Sequence, residues 1–92
     1  MVKIKICGLT RVEDIKAVNR YLPDFAGFVF AESRRKVSPE QAGLLKAGLD
    51  SRIRSAGVFV NAPVEFISGL CRDGVIDMVQ LHEIFYLSTA FY

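Results

Sequence analysis

The chain has 92 residues, a formal net charge of +2, 51% hydrophobic residues and 24% charged residues. It is one small domain at most, too apolar for intrinsic disorder and too mildly charged for a protein that holds nucleic acid on a concentrated basic face. Its longest apolar run, about seven residues from Phe25 to Ala31, is far below the ~18 needed to span a bilayer.

Four segments read as strands. Residues 2–7 alternate Val2, Ile4 and Ile6 with Lys3, Lys5 and Cys7; residues 25–30 are nearly all apolar; residues 53–60 enclose Gly57; residues 76–82 alternate again. Helical signals lie between them. Thr10 with Glu13 forms a capping-box pattern ahead of Val12, Ile15, Val18 and Leu22, spaced by three and four. Ser38, Pro39 and Gln41 combine an N-cap, a first-position proline and a third-position amide ahead of Ala42, Leu45 and Leu49. Pro63 opens a third helix with Val64, Ile67 and Cys71 on one side, and Gly74 is placed to end it. The order βαβαβαβ predicts parallel strands joined by helical crossovers. Residues 83–92 break the pattern: Glu83 is their only charge, and Phe85, Tyr86, Phe91 and Tyr92 make the tail aromatic.

The turn after the first strand has one glycine, which excludes the G-x-G-x-x-G dinucleotide fingerprint, and no phosphate-binding P-loop motif occurs. A (β/α)8 barrel repeats the observed unit but needs ~250 residues. A mean hydropathy of +0.28 is high for so small a chain, which buries only ~60% of the surface its unfolded form exposes. The chain therefore reads as covering both faces of a sheet or as lacking a partner.

In parallel α/β folds chemistry gathers at the carboxyl ends of strands. Cys7 ends the first strand, and the positive end of the helix behind it favours a thiolate, a general base or nucleophile. The alternative is a small buried hydrophobe, although Cys7 shares its face with Lys3 and Lys5. The run Ser33-Arg34-Arg35-Lys36 reads as an anion clamp or as a solvated loop. Gln80 and His82 end the fourth strand, with His82 a proton shuttle or a hydrogen-bonded structural group. Cys71 reads as core and Asn61 as a cap or turn residue. The cysteines, His82 and Glu83 lack metal-ligand spacing, so no metal site is expected.

At these residues the chain resembles the phosphoribosylanthranilate isomerase family. Lys5-Ile6-Cys7-Gly8-Leu9-Thr10 resembles the family's K-I-C-G-[LI]-T opening. The segments Ala26 to Phe30, Ser33 to Ala42, Gly57 to Asn61 and Val79 to His82 resemble its next motifs in order. The resemblance implies half of a (β/α)8 TIM barrel over residues 1–82, with 83–92 a non-family tail. It implies an Amadori rearrangement of N-(5-phosphoribosyl)anthranilate in tryptophan biosynthesis, with no cofactor and no metal. Cys7 would be the general base, Arg35 the clamp on the anthranilate carboxylate, and Gln80 and His82 pocket-lining groups.

The pattern stops where Glu83-Ile84-Phe85 follows His82. The family's acid, on a later strand, and its phosphate loops have no counterpart here. The expectation is a chain with little activity alone, the alternative being a non-catalytic half-barrel assembly module. Cytoplasmic location follows from free thiols and an N-terminus unlike a signal peptide. Expected partners are a small phosphorylated substrate and a second copy associating through the open half-barrel, not nucleic acid or membrane.

Overall fold

The computed structural model describes residues 3–82 and 89–91. Its elements are β1 (Lys5–Cys7), α1 (Val12–Tyr21), β2 (Phe25–Val29), α2 (Pro39–Ala47), β3 (Arg54–Phe59), α3 (Val64–Arg72), β4 (Met78–His82) and β5 (Thr89–Phe91). The five strands form one sheet in sequence order. Strands β1 to β4 are parallel, as their alternation with helices demands. Strand β5 runs antiparallel on β4, with Gln80 opposite Phe91 and His82 opposite Thr89. The sequence pattern of residues 83–92 predicts no strand, because a three-residue pairing segment carries too little periodicity to signal one. Its backbone nonetheless pairs with Gln80, Leu81 and His82 on an edge that would otherwise be open.

The register separates the two faces of the sheet. Ile6, Ala26, Phe28, Phe59, Val79 and Leu81 face the helices and join Ile15, Val18, Ala42, Leu45 and Leu70 in one core. Phe30 stacks on Phe59 with centroids 5.2 Å apart, and Phe66 meets both rings edge-on at 6.0 and 6.1 Å. The opposite face carries Lys5 and Cys7, Phe25, Gly27 and Val29, Arg54, Ala56 and Val58, Met78 and Gln80, related by strand pairing. No helix lies on that side among the described residues. The sheet curls toward it far enough for the Lys5 ammonium on β1 to donate a hydrogen bond to the Gln80 side-chain oxygen on β4.

Helix signals resolve with two shifts. Ser38 caps α2 as expected, its hydroxyl accepting from Gln41 N–H at 3.1 Å. The Gln41 amide does not reach back to close a capping box; it donates instead to Thr10 C=O at 2.7 Å. Helix α1 is capped one residue later than the Thr10–Glu13 pattern predicts. The Asp14 carboxylate accepts from the Thr10 and Arg11 backbone N–H groups, both at 3.1 Å. An acid in the first turn satisfies whichever free N–H groups face it, and here those are the two before the helix.

The expected apolar stripes are wider than the sheet beneath them. Ile15 and Val18 are buried, but Val12 and Leu22 are 59% and 41% exposed. In α3 Leu70 is the buried residue, whereas Val64 is 72% exposed and Cys71 is exposed. The core assignment of Cys71 is thus corrected. With Val64, Ile67, Val79 and Leu81 it lines an apolar groove at the β4 side of the helix layer. Asn61 occupies a turn at φ 53°, in keeping with its reading as a turn residue. Gly74, at φ 75°, follows the α3 C-cap Asp73.

Candidate active site

The carboxyl end of β1 is built around two missing side chains. Cys7 pairs with Gly27 in register. A Cβ on Gly27 would lie 2.7 Å from the Cys7 Sγ, so the thiol occupies the space a side chain would fill. Gly8 then turns the chain at φ 85° and donates its N–H to Gly27 C=O at 3.0 Å. A Cβ on Gly8 would lie 2.6 Å from Arg35 Cδ and 3.1 Å from its Nη1. The arginine side chain therefore lies directly across the turn that follows the cysteine.

Arg35 reaches that position because its loop is folded rather than slack. Ser33 Oγ accepts from Arg35 N–H at 2.9 Å, and Lys36 Nζ pairs with Glu32 at 2.6 Å. Val37 N–H then returns to Val29 C=O at 2.9 Å. These bonds hold a tight return onto the end of β2. Cys7, Gly8, Leu9, Thr10, Arg11, Asp14 and Arg35 line one cleft of about 280 Å³. Two residues taken from sequence as site candidates are thus brought together.

Gln80 stands elsewhere, on the concave face bonded to Lys5, two residues before Cys7. His82 ends β4, and its side chain lies outside the described residues. The sequence reading passed over Lys5, Arg11 and Asp14 as site groups. The alternation that put Lys5 on the cysteine's face was the available signal for the first. The cleft roles of Arg11 and Asp14 depend on where α1 begins, which is a tertiary outcome.

The electrostatics of the cleft are lopsided. Asp14 is its one carboxylate among the described residues. Hydrogen bonds from Thr10 N–H and from the Arg11 side chain, which lies 3.0 Å away, hold its pKa below the ordinary carboxylate range. That carboxylate is committed to capping the amino end of α1. No carboxylate among the described residues pairs with the Arg35 guanidinium. Among the same residues, no three His, Cys, Asp or Glu side chains gather as a metal cage, and no helix is long and apolar enough to cross a membrane. The cleft can seat a planar anion against a fork of N–H donors, with a thiol at its floor.

A curled sheet of parallel strands, helices on its convex side and polar groups at the carboxyl strand ends define one half of a (β/α)8-barrel protein. The sequence model of N-(5'-phosphoribosyl)anthranilate isomerase matches residues 4–85, and the chain belongs to that family. It is 52% identical over 82 residues to the N-(5'-phosphoribosyl)anthranilate isomerase of Clostridium kluyveri, and 54% identical over 82 residues to that of Acetivibrio thermocellus. The crystal structure of the Thermotoga maritima enzyme, as monomers generated from a dimer, superposes with a TM-score of 0.81 at 38% identity. The match covers 90% of this chain and 42% of that one. A phosphoribosyl anthranilate isomerase in complex with reduced 1-(o-carboxyphenylamino)-1-deoxyribulose 5-phosphate superposes at 0.79 and 38% identity, with 91% and 44% covered. The alignments take in 89% of this chain but only 41% and 38% of the two bacterial relatives. The chain therefore spans about two fifths of the length of the curated relatives it matches.

Proposed function

We propose that the chain supplies the first part of the active site of a cytoplasmic N-(5'-phosphoribosyl)anthranilate isomerase, an aldose–ketose isomerase of tryptophan biosynthesis. The observation that carries the reading is the Cys7–Arg35 cleft, with Gly27 and Gly8 clearing room for each side chain. In this reading Arg35 forks onto the anthranilate carboxylate and orients the substrate. An acid protonates the ribose ring oxygen and the ring opens to an iminium. The Cys7 thiolate takes the C2 proton, and the electron pair flows toward the iminium nitrogen to give an enolamine, which tautomerises to the ketose. The anthranilate nitrogen is the electron sink, so the scheme calls on no cofactor. In the same reading Gln80 and His82 are pocket-lining groups. Residues 1–82 carry this half-barrel, and Thr89–Phe91 beyond them add a strand to its β4 edge.

The acid has no candidate among the described residues of the cleft, since Asp14 is ionised and bound to backbone N–H groups. That supports a second reading, in which the isolated chain is a half-barrel assembly module without turnover. General acid catalysis contributes about 10²- to 10⁴-fold, and substrate held without its phosphate anchor is poorly oriented. The purified 92-residue chain should accordingly turn over freshly prepared substrate at a rate lower by at least that factor than a relative of full length. Any residual turnover should vanish in Cys7→Ala while far-UV circular dichroism is unchanged. Residual turnover that survives Cys7→Ala would refute the assignment of the thiol as base. A rate matching the longer relatives would refute the half-site.

A further inference from the structure

The turn after β1 and the loop after β2 are tied together at one peptide group. The Thr10–Arg11 peptide is held at both ends. Its C=O accepts from the Gln41 side-chain amide at 2.7 Å, and its N–H donates to the Asp14 carboxylate at 3.1 Å. Asp14 comes from the first turn of α1 and Gln41 from the first turn of α2. A glutamine three residues after a serine cap ordinarily turns back to accept from the cap's own N–H. Gln41 keeps the backbone half of that box, donating its N–H to Ser38 Oγ at 3.1 Å, but sends its side chain across to the other loop. The two ends of the bridge are firmly seated. Val37 and Ala42, on either side of α2's first turn, are buried, as is Leu9 next to Thr10. Gly8 and Leu9 both donate their N–H groups to Gly27 C=O, at 3.0 and 3.3 Å.

We infer that Gln41 is a positioning residue for the site: by joining α2 to the turn after β1, it fixes the separation of the Arg35 guanidinium from the Cys7 thiol. Cys7 lies three positions before Thr10, and Arg35 six before Gln41, so the bridge closes a ring that contains both. The thiol is placed by the β1–β2 register. Arg35 is exposed, and its loop is bonded within itself and back to β2 through Ser33 and Val37. Among the described residues, the Gln41–Thr10 bond is the one hydrogen bond that joins residues 30–41 to residues 8–11. Without it the arginine loop is free to shift relative to the thiol while both strands stay paired. Misplacing an orienting group by about 1 Å can cost about 10²-fold in rate. The inference rests on the proposed function, in which Arg35 and Cys7 act on one substrate, and adds the group that sets their spacing.

Alkylation of the thiols reads that separation without turnover. Iodoacetate carries a carboxylate that the Arg35 guanidinium attracts, and iodoacetamide is its neutral counterpart. Peptide mass spectrometry of the full chain gives the ratio of the two rates at Cys7, with the exposed Cys71 as internal reference. The ratio at Cys7 should be about fivefold higher in wild type than in Arg35→Gln, as one unit charge a few ångströms away at the surface would make it. Gln41→Met keeps the length of the side chain and removes the donor; Gln41→Ala removes the side chain and keeps a good helix former. Both should lose most of the preference at Cys7, with the ratio at Cys71 and the urea midpoint unchanged. A merely structural role would instead lower the midpoint and speed both reagents at Cys7 alike, and that result would overturn the inference. Retention of the wild-type ratio by both variants would overturn it too, while leaving the reading of Cys7 and Arg35 standing. A wild-type ratio no higher than that of Arg35→Gln would overturn that reading, and the inference with it.

Discussion

At the scale of single residues, the cleft depends on what two glycines lack. Gly27→Ala places a methyl 2.7 Å from Cys7 Sγ and 3.2 Å from the Cys7 Cα. The second contact is backbone, so the strand pair itself must shift. Overpacking of this kind costs about 1–3 kcal/mol, readable as a lower urea midpoint with an unchanged slope. The thiol's alkylation rate by iodoacetamide should change with it. Gly8→Ala has a different character. Its positive φ costs an alanine about 1–2 kcal/mol, but the atom it meets first is Arg35 Cδ, on a flexible side chain. Under the proposed function the stability loss should come with weaker binding of reduced 1-(o-carboxyphenylamino)-1-deoxyribulose 5-phosphate, measured by calorimetry. Arg35→Lys keeps the charge and loses the two-pronged donor, so it should weaken that binding about tenfold with no change in the urea midpoint.

At the scale of elements, the helices are tied to the sheet at the amino ends of the strands, away from the cleft. Ser55 on β3 is completely buried. Its Oγ accepts from Lys46 Nζ at 3.0 Å and from Asp77 N–H at 3.1 Å, and lies 3.0 Å from Val75 C=O. Asp77 accepts from Lys46 Nζ at 2.5 Å and Ser55 N–H at 2.9 Å. One cluster thus joins α2, β3 and the approach to β4. Ser55→Ala strands several of these groups and should cost about 1–3 kcal/mol in denaturant unfolding. Burial pushes the Asp77 pKa up, but the hydrogen bonds from Lys46 and Ser55 together outweigh it, leaving the pKa below the ordinary 3.8. A depressed carboxylate binds fewer protons folded than unfolded, so its contribution is complete above pH 3.8 and is lost as pH falls through the lower folded value. Asp77→Asn should flatten the acid limb of the stability profile below pH 4 while the wild type falls steeply there.

At the scale of the whole molecule, the described residues put helices on one face of the sheet and none on the other, and β5 pairs along one of its edges. Strand β5 occupies the β4 edge through Leu81–Ala90 and His82–Thr89 pairing. A chain shortened to residue 82 leaves the β4 edge groups unpaired and available to another molecule. Its β4 amides should exchange with deuterium faster than in the full chain, and it should aggregate at lower concentration. Equal exchange would mean that β5 adds nothing to the protection of that edge.

How much of this was legible in the residues depends on the range of the physics involved. The strand–helix alternation, the Ser38 cap, the turn at Asn61 and the family itself were readable from the sequence, because periodicity and turn chemistry act between near neighbours. The roles of Cys7 and Arg35 come from the resemblance, and the structure supplies the reason for their meeting in two absent side chains, one on β2 and one in the turn after β1. What local pattern misjudged was burial at the margins. Val12, Val64 and Cys71 lie on apolar helix stripes, yet exposure is settled by whether anything packs opposite. The Asp14 cap moved by one residue for a similar reason, since the carboxylate follows the N–H groups the folded turn presents. Sequence alone determined a parallel α/β half-barrel with a thiol at a strand end. Only the tertiary structure decided that Lys5 reaches Gln80 across the curl and that β5 pairs on β4, because each requires groups distant along the chain to be brought together in space.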